Sequence, residues 1–173
     1  MNFKSFTSDD SKREKFHSHS KNINNEKKYR DFAENYKTMI SIGSGFNWNS
    51  GNRNNFIFSF DFIPKLSRNF FLDFKLDGIK EGLTYNTLLN IIPEYKLYLA
   101  EDSKFAGYFG IGPTLFFSPK GHPGTDASIT AQIKFEYSLK TFFINTELRK
   151  PVYFYEDSGH IDFILSINFG IKI

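Results

Sequence analysis

The sequence predicts an all-β protein: an eight-stranded antiparallel up-and-down β-barrel with its apolar face outward, behind a flexible polar N-terminal segment. Three observations predict it. From Lys37 to Ile173, apolar and polar residues alternate with a period of two almost without interruption. The alternation falls into eight runs joined by short turns, and short turns make chain neighbours antiparallel. Lastly, 22 Phe and 18% aromatic residues sit in a chain of 173 residues with a mean hydropathy of only −0.40, so the rings must be sorted onto one surface.

Residues 1–35 are polar and charged and read as a flexible tail, with a candidate short helix over 26–36 that puts Tyr29, Phe32, Ala33 and Tyr36 on one side. The first barrel run places Ile40, Ile42, Phe46 and Trp48 on one parity, and Asn49 to Asn54 turns the chain. In the second, Phe56, Phe58, Phe60 and Phe62 alternate with Ile57, Ser59 and Asp61. The third alternates Phe70, Leu72, Phe74 and Leu76 with Phe71, Asp73, Lys75 and Asp77, before a turn at Gly78–Gly82. The fourth opposes Leu83, Tyr85, Leu89, Ile91, Tyr95, Leu97 and Leu99 to Asn86, Asn90, Glu94 and Lys96. The fifth is Phe105–Phe117, followed by a loop-like stretch, Ser118–Thr125. The sixth opposes Ala127, Ile129, Ala131, Ile133, Phe135 and Tyr137 to Ser128, Thr130, Gln132, Lys134 and Glu136. After Leu139-Lys140, the seventh opposes Phe142, Ile144, Leu148, Val152 and Phe154 to Asn145, Glu147 and Arg149. Beyond the turn Glu156–Gly159, the last alternates Ile161, Phe163, Leu165, Ile167, Phe169, Ile171 and Ile173 with Asp162, Ser166, Asn168 and Lys172. An even strand number lets the first and last strands pair, which removes the edges.

Periodicity gives two faces, and volume decides which is inside. One face carries roughly 40 large apolar side chains, whereas a closed eight-stranded core holds about 12 in three layers. The opposite face is rich in Gly, Ser, Ala and Thr, and its charges nearly cancel: Asp61, Asp73, Asp77, Glu94, Glu136, Glu147 and Asp162 against Lys75, Lys96, Lys134, Arg149 and Lys172. Buried charges are tolerated only when paired, and this inventory suits an interior network. The Phe-rich face must then meet an apolar solvent, so the barrel is expected to span lipid. Pro93, Pro113 and Pro151 fall inside strands, where bulges, or strand portions beyond the bilayer, are expected. Lys150 falls on the lipid parity, which fits a position near an interface.

The strand pattern resembles the small eight-stranded outer-membrane β-barrels, the class of the outer-membrane protein A transmembrane domain. FAGYFGIGP (Phe105–Pro113) is similar to a recurring strand of that class, and INFGIKI (Ile167–Ile173) is similar to its C-terminal assembly signal, apart from ending in Ile173 where the class has an aromatic residue. The resemblance covers 37–173 and implies an outer-membrane location, contact with outer-membrane lipid and the barrel-assembly machinery, and a monomer. The Lys, Asn, Ile and Phe usage resembles that of a spirochaete-type surface protein. Met1–Asp10 has no apolar signal-peptide core, so the chain is read as a mature form with an added Met or as a truncated one.

With both termini periplasmic, as the resemblance implies, the external turns carry Arg53, Lys80, Lys120, His122 and Asp157, the expected contacts for an external or host ligand. Trp48, Tyr85, Tyr137 and Phe154 are expected as interfacial aromatics. A net charge of +3 gives no case for nucleic acid, and the absence of Cys with four scattered His gives none for a metal or another cofactor. His122 and His160 match no nucleophile motif, so no enzyme is expected. A surface-exposed binding or envelope-integrity role is favoured. A narrow porin is the alternative, ahead of a lipid-modifying rim enzyme and a soluble lipocalin-like barrel. The Gly-rich first and fifth strands are expected to make room for long charged partners on facing strands.

Overall fold

The computed structural model describes residues 35–48, 55–81, 84–99, 104–117, 125–153 and 161–173. Most of the candidate N-terminal helix and the turn residues 49–54, 82–83, 118–124 and 154–160 lie outside the described residues. Eight strands follow in chain order: β1 (Thr38–Trp48), β2 (Asn55–Pro64), β3 (Phe70–Glu81), β4 (Thr84–Tyr98), β5 (Phe105–Phe117), β6 (Thr125–Leu139), β7 (Phe142–Tyr153) and β8 (Phe163–Lys172). Each pairs antiparallel with its chain neighbour, and β8 closes on β1. The result is a closed all-antiparallel barrel in which the start of β1 and the end of β8 lie at one end, the terminal end. There the Lys37 N–H donates to the Ile173 carbonyl at 2.7 Å and the Ile173 N–H to the Thr38 carbonyl at 2.8 Å.

The faces sort as volume requires. Thirty-one large apolar side chains are exposed among the described residues, including Phe46, Phe58, Phe60, Phe62, Phe109, Phe135 and Phe169. Soluble monomers seldom expose contiguous apolar patches above a few hundred Å². Cross-strand ring pairs consolidate this belt: Phe70 with Tyr95 at 5.1 Å, and Phe105 with Tyr137 at 4.8 Å between centroids. Lys150 interrupts the belt, and its ammonium lies 5.1 Å from the centre of the Phe163 ring. Two residues depart from the parity of the last run. Ile161, expected outside, is buried, and Asp162, expected inside, is half-buried with its N–H bonded to the Trp48 carbonyl at 2.8 Å. Both precede β8, which starts at Phe163, so strand alternation does not govern them.

The expected bulges at the prolines are absent. The β4–β5 seam keeps one register from Thr87↔Phe117 through Asn90↔Thr114 to Glu94↔Gly110, with pairing interrupted between the last two. The Leu99 N–H donates to the Phe105 carbonyl at 3.0 Å, so odd-numbered residues of both strands face this seam. Pro93 and Pro113, each without an N–H, therefore meet in the one interrupted stretch, and each keeps its ladder on the other side. Pro151 faces β8 beyond the last pair of that seam, Arg149↔Ile164.

The glycines act in two ways. Gly43 makes room for the Asn168 side chain of β8 and Gly110 for those of Ile92 and Glu94 of β4, whereas Gly45 and Gly112 permit close approach of the neighbouring backbone. A Cβ on Gly45 would lie 2.1 Å from the Leu165 carbonyl oxygen, and one on Gly112 would lie 2.1 Å from that of Ile91. At Gly78 a Cβ would meet nothing within 4 Å. Gly112→Ala is expected to cost about 1–3 kcal/mol and Gly78→Ala close to nothing, read from urea midpoints in micelles. Equal midpoints for the two variants would refute this account of the close approach.

Candidate functional site

The lumen is filled by side chains in three layers, stacked from one end of the barrel to the other. The middle layer is ionic. Asp61 (β2), Asp73, Lys75 and Asp77 (β3), Glu94 (β4), Lys134 (β6), and Glu147 and Arg149 (β7) point inward, none more than 2% exposed. Alternation on short, register-locked strands puts them on one face. The ion pairs run across the barrel. Lys75 joins Asp61 at 3.0 Å on the neighbouring strand and Glu147 on the opposite wall. Arg149 reaches from β7 to β3, where its fork holds both carboxylate oxygens of Asp77, one at 2.9 Å, and its Nε lies against Glu147. Lys134 contacts Asp73, Glu94 at 2.8 Å and Glu147 at 3.9 Å. Neutral donors complete the shell. The Ser41 hydroxyl donates to Asp61 and the Ser59 hydroxyl to Asp77, both at 2.6 Å, and the Asn90 amide donates to Asp77 at 2.9 Å. Gln132 donates to Asp73 at 3.2 Å and also to Glu94.

The terminal end is closed by rings. Tyr36, Phe71, Tyr108 and Phe143 are buried in one cluster with Met39, Ile63 and Ala106. Tyr36 stacks on Phe71 with centroids 6.0 Å apart, and Phe71 meets the Tyr108 ring edge-on at 5.7 Å. The Lys96 ammonium donates to the Tyr36 hydroxyl at 3.1 Å and lies 5.0–5.8 Å from the centres of four rings. Glu136 accepts from Lys172 at 2.7 Å and from the Tyr108 hydroxyl at 2.8 Å, with Lys96 at 3.7 Å. The far end is closed by aliphatic side chains: Ile57, Ile79, Leu88, Ile161 and Ile164, with Phe116 against them. The far-end layer is thus apolar and a desolvated barrier to an ion, whereas the terminal-end layer mixes rings with the Lys96–Glu136–Lys172 cluster.

Of the twelve charged residues expected in the interior, eleven line this lumen, eight in the middle layer and Lys96, Glu136 and Lys172 at the terminal end, while Asp162 stays half-buried at the rim. Lys80 does not sit on a turn. The β3–β4 ladder runs on to Glu81↔Thr84, so Lys80 is a strand residue paired with Tyr85, exposed on the outer face. Arg53, Lys120, His122 and Asp157 lie outside the described residues, as do Phe154 and the side chain of Tyr85. Trp48 is exposed at the far end of β1, and Tyr137 is half-buried near the terminal end of β6. Sequence reasoning missed the role of Tyr36. The sequence pattern puts it on a tail helix, yet Tyr36 carries no helix and folds into the lumen. Its position next to a strand start gave no signal that its ring would cap Lys96. Among the described residues, no group of three His, Cys, Asp or Glu could hold a metal ion.

Neither a known protein-family model nor a curated protein matches the chain. Solved structures do. The N-terminal β-barrel domain of OprF from Pseudomonas aeruginosa superposes with a TM-score of 0.61 at 10% identity, covering 80% of this chain and 98% of that one. The outer membrane protein Ail from Yersinia pestis, in a phospholipid nanodisc, gives 0.55 at 10% identity over 80% and 99%. Neisserial surface protein A gives 0.55 at 12% identity over 80% and 97%. A designed transmembrane β-barrel gives 0.54 at 12% identity over 79% and 95%. At such identities the likeness is one of fold, and the chain has the fold of the small eight-stranded transmembrane β-barrels.

Proposed function

We propose that this protein is a non-enzymatic, monomeric outer-membrane β-barrel that acts at its surface-exposed end, binding external or host molecules or supporting envelope integrity. The observation that carries this reading is a filled lumen, closed by aliphatic side chains at the far end and by rings packed around Lys96, Lys172 and Glu136 at the terminal end, inside a belt of outward aromatic and aliphatic residues. Among the described residues the filled lumen leaves no chamber for substrate, and the aliphatic far-end layer interrupts any polar path for solute, which leaves the ends for interaction. Arg53, Lys120, His122 and Asp157, together with Lys80 on the outer face of β3, are the candidate contacts. The outward Phe169, Ile171 and Ile173 support recognition by the assembly machinery. The likeness in fold to an outer membrane protein and to a surface protein supports the location.

The test is refolding of the full chain from urea, with and without detergent micelles, followed by planar-bilayer recording. A β circular-dichroism spectrum and a heat-sensitive gel shift only with micelles, and no unitary current steps at high protein load, are expected. A cooperative β fold in plain buffer would overturn the membrane reading. Reproducible unitary steps would move the assignment to the narrow porin.

A further inference from the structure

The outward belt carries a groove that opens at the terminal end. Two rows of side chains wall it, Phe142–Ile171–Ile40 and Ile144–Phe169–Ile42, each aligned across β7, β8 and β1 by the strand registers. Between the rows runs the backbone of Phe143, Gly170 and Ser41, and the groove holds about 460 Å³. Register also gives its direction. Phe143 belongs to the ring cluster of the terminal end, whereas Ser41 pairs with Asp61 of the middle layer. The groove therefore starts beside Leu139, where β6 turns into β7, and runs obliquely to mid-height of the belt. A lipid whose headgroup stays at the rim sends its chain along the same course.

The mouth of the groove is basic. Lys140 follows Leu139 directly and is exposed. Lys37 is exposed as well, and its N–H holds the Ile173 carbonyl, just beyond Ile171. Lys140 has a φ of 54°, in the left-handed region that a tight hairpin turn ordinarily fills with Gly, Asn or Asp. Backbone geometry alone would favour glycine there, so the strained position points to a use for the side chain. Elsewhere on the terminal rim the charged side chains among the described residues are Lys65, Arg68 and Lys104, again cations.

We propose that the groove seats one acyl chain of an anionic phospholipid, with the headgroup phosphate against Lys37 and Lys140. The apolar walls take the chain, and the two ammonium groups favour a negatively charged headgroup over a zwitterionic one. The seat presupposes the lipid-facing belt and adds to it the class of lipid and the place where it binds.

Urea unfolding of the full chain in two kinds of vesicle tests this at low salt: phosphatidylcholine alone, and phosphatidylcholine mixed with phosphatidylglycerol. The mixed vesicles are expected to lower the unfolding constant about fivefold for each lysine that the headgroup meets. The double variant Lys37→Gln, Lys140→Gln is expected to fold in both and to lose that gain. Lys104→Gln, at the start of β5 and four strands from β1, is expected to keep it. Native mass spectrometry of barrel extracted from the mixed vesicles is expected to show one retained phosphatidylglycerol, lost in Ile171→Trp, which fills the groove. Equal unfolding constants in the two vesicles overturn the proposal. A gain that Lys104→Gln removes as fully as the double variant does also overturns it, because the rim would then attract anionic lipid diffusely. A dimer without lipid in the mass spectrum gives the groove to a second copy of this chain and overturns it too. Folding in plain buffer but in neither vesicle would overturn the membrane reading itself, and this seat with it.

Discussion

Arg149→Ala is expected to destabilise the barrel by about 3–5 kcal/mol, the loss typical of removing one partner from a buried ion pair. Arg149 is fully buried on β7 and holds Asp77 on the opposite wall, so its removal leaves Asp77 to the neutral donors Ser59 and Asn90 and takes one cation from Glu147, in a buried layer. The partner variant is expected to be milder. Glu147→Gln deletes a negative charge from a layer that already has too many, and the amide can still accept from Lys75. Urea midpoints in micelles at one pH compare the two. An Arg149→Ala loss no larger than that of Glu147→Gln would show that the charges are not cross-braced as described.

Phe60→Arg carries the second large effect, and its sign depends on what surrounds the barrel. Phe60 lies in the middle of β2, outward and 47% exposed, between Ile42 of β1 and Leu76 of β3. In a bilayer an arginine near mid-height of the belt is expected to cost about 2–4 kcal/mol, falling to about 0–1 kcal/mol near the interfaces. Lys80→Ala, at the far end of β3, serves as the near-neutral control. In a water-soluble barrel, Phe60→Arg would be harmless or would improve solubility. Refolding yield and midpoint in phospholipid vesicles decide between these signs. An unaffected Phe60→Arg barrel would remove the lipid-facing assignment of this surface.

The strand order was legible because each run alternates cleanly and each turn is short. Phe56 to Phe62 against Ile57, Ser59 and Asp61 leaves no other period to choose. The inner charges were legible for the same reason, since parity alone puts Lys75 and Glu147 on the inward face. What parity lacks is any record of depth or of partner. It listed Asp162 with the network, though this residue stops at the rim. It gave no sign that inward Phe71, Tyr108 and Phe143 converge at one end while Ile57, Ile79 and Leu88 converge at the other. The prolines show the same limit. Pro93 and Pro113 are 20 positions apart, and that they fall into a single seam follows from register, which turn lengths and closure set together.

The sequence by itself determined that this chain forms eight antiparallel strands with a Phe-rich face too large to be buried inside them, because a period of two and side-chain volume are local and additive properties. Only the tertiary structure decided which charges meet and which side chains close each end of the lumen. Those features depend on the stagger of strands around a closed barrel, which brings residues some 70 positions apart, such as Asp77 and Arg149, within hydrogen-bond distance across the lumen.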